Sequence, residues 1–230
     1  MKNLIQNELA ASKKIDFERD KKKLIKLNQK NVAFAEAMIS HNSSYNKALN
    51  KECKSEGKYK GSTAHWIDVL SKDYNKNNLE EAVCAINRDN STRASNADCK
   101  SIAKYLIENF TSIGSLKQTL KERDKGIALV EKLRDKNIAK TKKNCYSLAS
   151  NILHYLCYCM FKGKQEQDNY PIYDSITNKS IGEYIKHYKL KDIKTTKYSD
   201  YCDVIDKVIK KSGSKISRNG FDHILWYSNK

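Results

Sequence analysis

The sequence predicts an all-α protein of about ten helices. Apolar residues recur at helical spacing along most of the chain, and the alternating pattern of half-buried strands is nearly absent. The 230 residues include a single proline and 8 glycines, which is too few for the many turns of an all-β sandwich. The hydrophobic share of 39% is enough for a packed core in a chain of this length.

Several helices are predicted in the first half of the chain. The first thirty residues are rich in lysine and predict a charged helix or a partly ordered arm. Apolar residues at helical spacing then predict a helix over 31–49, and residues 50–62 predict a polar loop. Thr63 is predicted to cap the next helix, which carries Trp66. Further helices are predicted over 79–86 and 97–110.

The second half carries the more strongly patterned helices. Residues 115–135 predict one long helix with a break near Gly126, and a short basic turn follows over 136–143. Residues 147–161 form the most apolar helical pattern in the chain. A hydrophilic loop over 162–169 then leads to the only proline. The last three helices are predicted over 176–188, 201–211 and 218–228.

The chain is strongly basic. It carries 44 Lys and Arg against 27 Asp and Glu, a formal net charge of +17 at pH 7. A positive field of this size attracts polyanions, and nucleic acids are the most abundant polyanions of a cell. The alternative is a lysine-rich surface that only keeps the protein soluble. We see neither an apolar leader nor a run of about 20 apolar residues, so we expect a cytoplasmic protein that does not bind membranes.

Cysteine usage indicates free thiols. The seven cysteines form no CxxC pair, and no histidine–cysteine cluster has the spacing of a zinc site. His154 precedes Cys157 by three residues, but no second pair completes a metal site. A buried histidine held by a hydrogen bond is therefore the favoured interpretation of His154. We expect neither a metal nor an organic cofactor.

The segment from 129 to 185 holds the most specific pattern. An apolar helix is followed by a loop and then by Tyr170-Pro171-Ile172-Tyr173-Asp174-Ser175, which opens another helix. The proline restricts how the chain enters that helix, and Asp174 is placed to cap it. A carboxylate at this position would be a fixed negative charge at the beginning of a helix. The alternative is a helix cap without chemistry.

This order of elements resembles the helix-hairpin-helix DNA glycosylases, in particular the 8-oxoguanine glycosylase fold and its divergent bacterial relatives. The resemblance rests on Ser147-Leu148-Ala149-Ser150, on the Tyr170–Ser175 motif and on the ending Phe221-Asp222-His223-Ile224-Leu225-Trp226. It covers about 129–182 and the last dozen residues. The predicted turn over 135–140 lacks the glycines that the family uses to bind a phosphate, so its lysines would take that role.

The resemblance implies two regions with different functions. Residues 1–112 would form a helical N-terminal region, and 113–230 a helix-hairpin-helix-like catalytic region packed with it as one unit. Asp174 would stabilise the cationic sugar, and either Lys142 or Lys143 would be the nucleophile of a bifunctional enzyme. The implied base pocket consists of Tyr173, His223 and Trp226. The implied DNA-binding residues are Lys136, Lys140, Lys142, Asn144, Ser147 and Arg218.

The function implied by this resemblance is DNA base excision. The protein would flip a damaged or modified base out of duplex DNA and cleave its N-glycosidic bond, with AP-lyase activity if a lysine attacks. It would act as a nucleoid-associated monomer, either in base-excision repair or in defence against modified phage DNA. A non-catalytic DNA- or RNA-binding helical protein is the main alternative. A nuclease or regulator unrelated to glycosylases is the third.

Overall fold

The all-α prediction is confirmed. The computed structural model describes residues 17–21, 23–39, 62–90, 92–135, 138, 145–190 and 195–228. Within these ranges the regular secondary structure is helical, apart from one isolated antiparallel bridge between Arg19 and Ile25. None of the helices there combines the length and the apolar character that crossing a membrane requires.

Ten α-helices lie within the described residues, in the following order. They are α1 (Gln29–Ile39), α2 (Ser62–Lys72), α3 (Lys76–Asp89), α4 (Asn96–Asn109), α5 (Ile113–Lys121), α6 (Arg123–Leu133), α7 (Tyr146–Met160), α8 (Ser175–His187), α9 (Tyr198–Ser212) and α10 (Arg218–Tyr227). A short 3₁₀ helix, Gln165–Asp168, lies between α7 and α8.

The chain divides into two compact units. Unit 1 contains the described residues of 1–57 together with those of 176–193 and 203–230, and unit 2 contains the described residues of 58–175 and 194–202. Helix α9 therefore begins in unit 2 and ends in unit 1. The predicted division into an N-terminal region, 1–112, and a catalytic region, 113–230, refers to function. It stays a prediction.

Helix α7 is the central helix of unit 2. It packs against α2, α3, α5 and α6, and ten consecutive residues from Leu148 to Cys157 are buried. A helix that is apolar on all sides is stable only when neighbours surround it, which is the arrangement seen here. The predicted apolar helix over 147–161 is thus confirmed to within one residue at each end.

The start of α2 is held by a residue of another helix. Thr63 lies inside α2, and its amide and hydroxyl both donate to the carboxylate of Asp89 at the end of α3, at 2.9 and 2.7 Å. The helix begins one residue before the predicted cap. The capping group comes from 26 residues further along the chain, which sequence spacing does not reveal.

The long helix predicted over 115–135 is two helices. The break lies at Glu122, whose backbone is extended, and not near Gly126. Gly126 lies inside α6 at a point where the ring of Tyr170 occupies the space of a Cβ atom. The Tyr170 hydroxyl donates to the carbonyl of Leu120 at 2.8 Å, so it binds one of the carbonyls that the break leaves without a helical partner.

The described residues from 17 to 28 form a compact turn and no helix, in the region predicted as a charged helix or a partly ordered arm. The amide of Asp20 donates to Leu24, and Arg19 donates through its guanidinium to the carbonyls of Lys23 and Tyr227, at 2.8 and 3.1 Å. Helix α1 packs against α10, and the hydroxyl of Tyr184 on α8 donates to the carbonyl of Ile25 at 2.8 Å. Residues 1–16 of the predicted arm lie outside the described residues.

Candidate active site

Asp174 directly precedes the first residue of α8. The start of α8 at Ser175 confirms that a helix opens after the Tyr170–Asp174 segment, and Asp174 occupies the N-cap position of that helix. The aspartate is half-buried. The N-terminus of a helix carries partial positive charge, which favours an anion there.

The four residues before Asp174 are each held by a side chain of α7 or α9. Three consecutive backbone carbonyls accept hydrogen bonds from side chains. The backbone amide of the fourth residue donates a hydrogen bond to a side chain. The four bonds are His154 Nδ1 to the Tyr170 carbonyl (2.9 Å), Tyr198 hydroxyl to the Pro171 carbonyl (2.7 Å), Tyr201 hydroxyl to the Ile172 carbonyl (3.0 Å) and Tyr173 amide to Ser150 Oγ (3.0 Å).

The spacing of these anchors follows from helix geometry. Ser150 and His154 are four residues apart on α7, and Tyr198 and Tyr201 are three apart on α9, so each pair lies on one face of its helix. His154 is 1% exposed and must donate from Nδ1, since a carbonyl can only accept. The prediction of a buried, hydrogen-bonded histidine is therefore confirmed.

Tyr173 links the segment to the beginning of α7. Its ring lies 4.8 Å from that of Tyr146, the first residue of α7, and 4.9 Å from that of Tyr201, measured between centroids. Its hydroxyl donates to the carbonyl of Thr195 at 2.8 Å. The residue before Asp174 is thus adjacent to the helix start that the basic segment 136–144 leads into.

A polar cluster of Glu131, Arg134 and Tyr146 borders this aromatic contact. The carboxylate of Glu131 accepts from Arg134 Nε at 2.6 Å, from the Tyr146 hydroxyl at 3.0 Å and from the amide of Tyr198 at 2.6 Å. Burial, together with the hydrogen bond and the charge of Glu131, raises the pKa of Tyr146 well above its usual value, so this hydroxyl stays protonated. The cluster joins α6, α7 and the first turn of α9.

Several predicted site residues lie outside the described residues. The two candidate nucleophiles, Lys142 and Lys143, are among them, and so are the predicted DNA-binding residues Lys136, Lys140 and Asn144. Ser147 is described: it is half-buried in the first turn of α7, where its carbonyl accepts from the side chain of Asn151 at 2.7 Å.

The remaining predicted residues belong to unit 1. Arg218 donates from Nε to the carboxylate of Asp206 at 2.6 Å. His223 is 6% exposed on α10, whereas Trp226 is half-buried, with its ring 5.0 Å from that of Tyr227. Their roles in DNA binding and in a base pocket stay predictions.

Formal charge is distributed unevenly over the two units. The described residues of unit 2, which contains Asp174, include fifteen Lys and Arg and fifteen Asp and Glu. Those of unit 1 include thirteen Lys and Arg against seven Asp and Glu. The described residues of unit 2 therefore carry no net formal charge, whereas those of unit 1 carry an excess of six positive charges.

Sequence reasoning missed Tyr198, Tyr201 and Glu131. A usable signal was present for the tyrosines, because a tyrosine on the apolar face of a helix needs a partner for its hydroxyl when it is buried. Glu131 gives no such signal, since its partners on α7 and α9 are distant in sequence. Within the described ranges, no three His, Cys, Asp or Glu side chains are grouped so as to hold a metal ion.

Comparisons with known proteins give no relative: no family, no curated protein and no solved structure matches this chain significantly.

Proposed function

We propose that this protein is a DNA glycosylase that excises a modified base and uses Asp174 as its catalytic carboxylate. The observation that carries the proposal is the anchoring of residues 170–173 by four side chains. Electrostatic catalysis requires a charge that is already in place before the reaction, so that no reorganisation is needed in the transition state. The anchors hold the backbone on the N-terminal side of Asp174 in this way.

The proposed reaction begins when the bond between C1′ of the sugar and the base nitrogen breaks. The bonding electrons leave with the base, and the sugar becomes cationic at C1′. The carboxylate of Asp174 stabilises that cation and accepts a proton from the attacking water. The water oxygen bonds to C1′, and the proton passes on to the departing base. If Lys142 or Lys143 attacks instead, its neutral amine forms the new bond to C1′ and loses a proton to the departing base. The C1′–O4′ bond of the sugar then breaks, O4′ takes up a proton, and the adduct becomes a Schiff base.

The neighbourhood of Asp174 supports DNA as the substrate. Through the contact of Tyr173 with Tyr146, the residue before Asp174 lies close in space to the start of α7. The segment that enters α7, 136–144, carries four lysines and no acidic residue. Lysines in the segment that precedes α7 would bind phosphates of the same DNA whose sugar Asp174 faces.

The test is base release from a panel of duplex DNAs that includes oxidised purines and bulky cytosine derivatives. Asp174→Asn should lower the rate on the accepted substrate about 100- to 1000-fold, with DNA binding retained. Asp124→Asn, an exposed acid of the same unit, is the control for the change in charge and should remain active. Full activity of Asp174→Asn would contradict the proposal, as would the absence of product from every DNA of the panel.

Borohydride trapping separates the two nucleophiles. A covalent adduct that disappears in Lys142→Gln or Lys143→Gln identifies the attacking amine, because reduction fixes only a Schiff base. Activity without an adduct indicates attack by water. An adduct that persists when both lysines are replaced would exclude both assignments.

The second candidate function is nucleic-acid binding without catalysis. It is favoured by the charge distribution, since the described positive excess lies in unit 1 and not around Asp174. This function predicts a binding constant that falls steeply with salt, and no product from any DNA or RNA. Binding that Asp174→Asn leaves unchanged, together with an inactive wild-type protein, would identify it.

A further inference from the structure

The end of α9 carries an unusual set of lysines in unit 1. Within nine residues, four lysines occur and no acidic residue separates them: Lys207, Lys210, Lys211 and Lys215. All four are exposed. We call these four residues the α9 lysine surface.

The four lysines form no ion pair with any described residue. Some exposed lysines of unit 2 are paired instead, since Lys72 lies 2.7 Å from Asp68 and Lys104 lies 3.7 Å from Glu108 on the same helix. Their charge is compensated locally by an acid one turn away. No carboxylate of the described residues forms an ion pair with the α9 lysine surface.

Helix α9 does contain acids at the spacing that would compensate. Asp203 precedes Lys207 by four residues, although the two side chains form no ion pair. Asp206 precedes Lys210 by four residues, yet its carboxylate is bound by Arg218 Nε at 2.6 Å. Arg218 therefore neutralises the carboxylate that lies one helical turn before Lys210. Favourable interaction with the negative end of the helix dipole accounts for Lys210 and Lys211 in the last turn, but not for Lys207 or Lys215.

The backbone that carries the surface is fixed. Gly213 ends α9 in the left-handed conformation, with φ of +67°, which favours glycine. Its amide donates to the carbonyl of Lys210 at 3.2 Å, and the amide of Ser214 donates to Ser212 Oγ at 3.1 Å. Ile216, 5% exposed, then anchors the chain in the core directly after Lys215. Lys207, Lys210 and Lys211 thus lie on α9, and Lys215 lies in the ordered turn that follows it.

We infer that the α9 lysine surface is a contact for the phosphate backbone of duplex DNA. Uncompensated ammonium groups on an ordered backbone suit a repeated anion, because each lysine can replace a counterion at one phosphate. The surface carries no exposed aromatic side chain for stacking on unpaired bases, which favours the duplex over single strands. The inference rests on the DNA-binding part of the proposed function and is independent of base excision.

The test compares two variants that lose the same three charges. One is Lys207→Gln with Lys210→Gln and Lys211→Gln, and the control is Lys72→Gln with Lys100→Gln and Lys104→Gln in unit 2. Binding of a labelled unmodified duplex is measured by fluorescence anisotropy between about 50 and 200 mM salt. The α9 variant should bind roughly 10- to 100-fold more weakly, and its log–log salt slope should be smaller by about 2 to 3. The control should change neither value by more than a small fraction.

Further variants and probes make the outcomes distinct. The corresponding Lys→Arg triple variant should restore binding, which shows that charge and not folding is responsible. Equal weakening in both triple variants would overturn the inference, since only total charge would then matter. Preference for phosphatidylserine–phosphatidylcholine vesicles over the duplex would also overturn it. If the wild-type protein binds no duplex at all, the proposed function fails together with the inference. If the wild-type protein binds the duplex and the α9 variant binds it equally well, the inference alone is refuted.

Discussion

At the scale of single residues, Asp89 shows how one carboxylate stabilises a helix distant in sequence. It accepts hydrogen bonds from the Ser62 hydroxyl at 2.8 Å and from the amide and hydroxyl of Thr63 at 2.9 and 2.7 Å. Burial by itself would raise the pKa of Asp89, but the hydrogen bonds from Thr63 and Ser62, with the charge of Arg88, outweigh burial and hold the pKa below its usual value. The carboxylate is therefore a stronger partner for α2 when it is ionised.

Replacing this carboxylate should destabilise unit 2. We expect Asp89→Ala to lower the free energy of unfolding by about 1 to 2 kcal/mol at neutral pH, because the first amides of α2 lose their acceptor. Since the folded pKa is depressed, this contribution is present above the ordinary value of about 3.9 and is lost as the pH falls through the folded value. Urea unfolding at several pH values measures both effects. Asp68→Ala, which removes only an exposed pair with Lys72, is the control, and an equal loss in both variants would contradict the prediction.

At the scale of secondary structure, the join between α5 and α6 is shaped by a residue of the candidate site. Tyr170 fills the space beside Gly126, and its hydroxyl reaches the carbonyls of Leu120 and Glu122 at 2.8 and 3.4 Å. The glycine is therefore needed for close packing, although its helical backbone would accept any residue. The same tyrosine accepts the bond from His154, so the packing of α6 and the position of the Asp174 segment are connected.

Gly126→Ala should consequently be destabilising, although alanine is the better helix former. An added Cβ would overlap the Tyr170 ring, and overpacking of this kind costs about 1 to 3 kcal/mol. Thermal unfolding followed by circular dichroism measures the loss. Gly182→Ala on α8 is the matched control, since nothing lies within 4 Å of the Cβ position there, and it should be neutral or stabilising. A stabilised Gly126→Ala variant would show that Tyr170 moves freely.

The positions of the helices were predictable, whereas the contacts between them were not. Helix α7 follows from a continuous apolar run, and α4 follows from its apolar period. The break at Glu122 and the cap from Asp89 depend on partners 26 to 50 residues away. Local patterns contain no information about such partners, so the break between α5 and α6 was predicted near Gly126 and not at Glu122.

For the candidate site too, the position in the sequence was predictable, whereas the contacts that hold it were not. The proline and the aspartate before an expected helix predicted where Asp174 lies, because both residue types have fixed preferences at helix starts. The anchors on α9 were not predictable, since nothing local relates Tyr198 to Pro171. The positions of Lys142 and Lys143 stay predictions, as both lie outside the described residues.

At the scale of the whole molecule, the buried thiols and phenols should make the protein sensitive to alkali. Burial raises the pKa of Cys99 to about 12, with smaller contributions from neighbours such as Cys84, and it raises those of Cys157, Tyr170 and Tyr184 well above their usual values. In the unfolded chain these groups lose their protons at about pH 8.5 for cysteine and about pH 10 for tyrosine. The folded state then holds more protons than the unfolded state, so its stability falls as the pH rises.

The free energy of unfolding should therefore be constant near neutral pH and fall above about pH 8.5, by as much as about 1.4 kcal/mol per pH unit for each group whose protonation differs. Urea unfolding under reducing conditions, at about pH 8 and at about pH 10, measures the slope. Cys99→Ala should reduce the slope in the lower part of this range and Tyr170→Phe in the upper part, whatever each substitution does to stability at pH 8. A stability that stays constant to about pH 10 would mean that these side chains reach solvent in the folded protein, and the packed interiors of both units would then have to be revised.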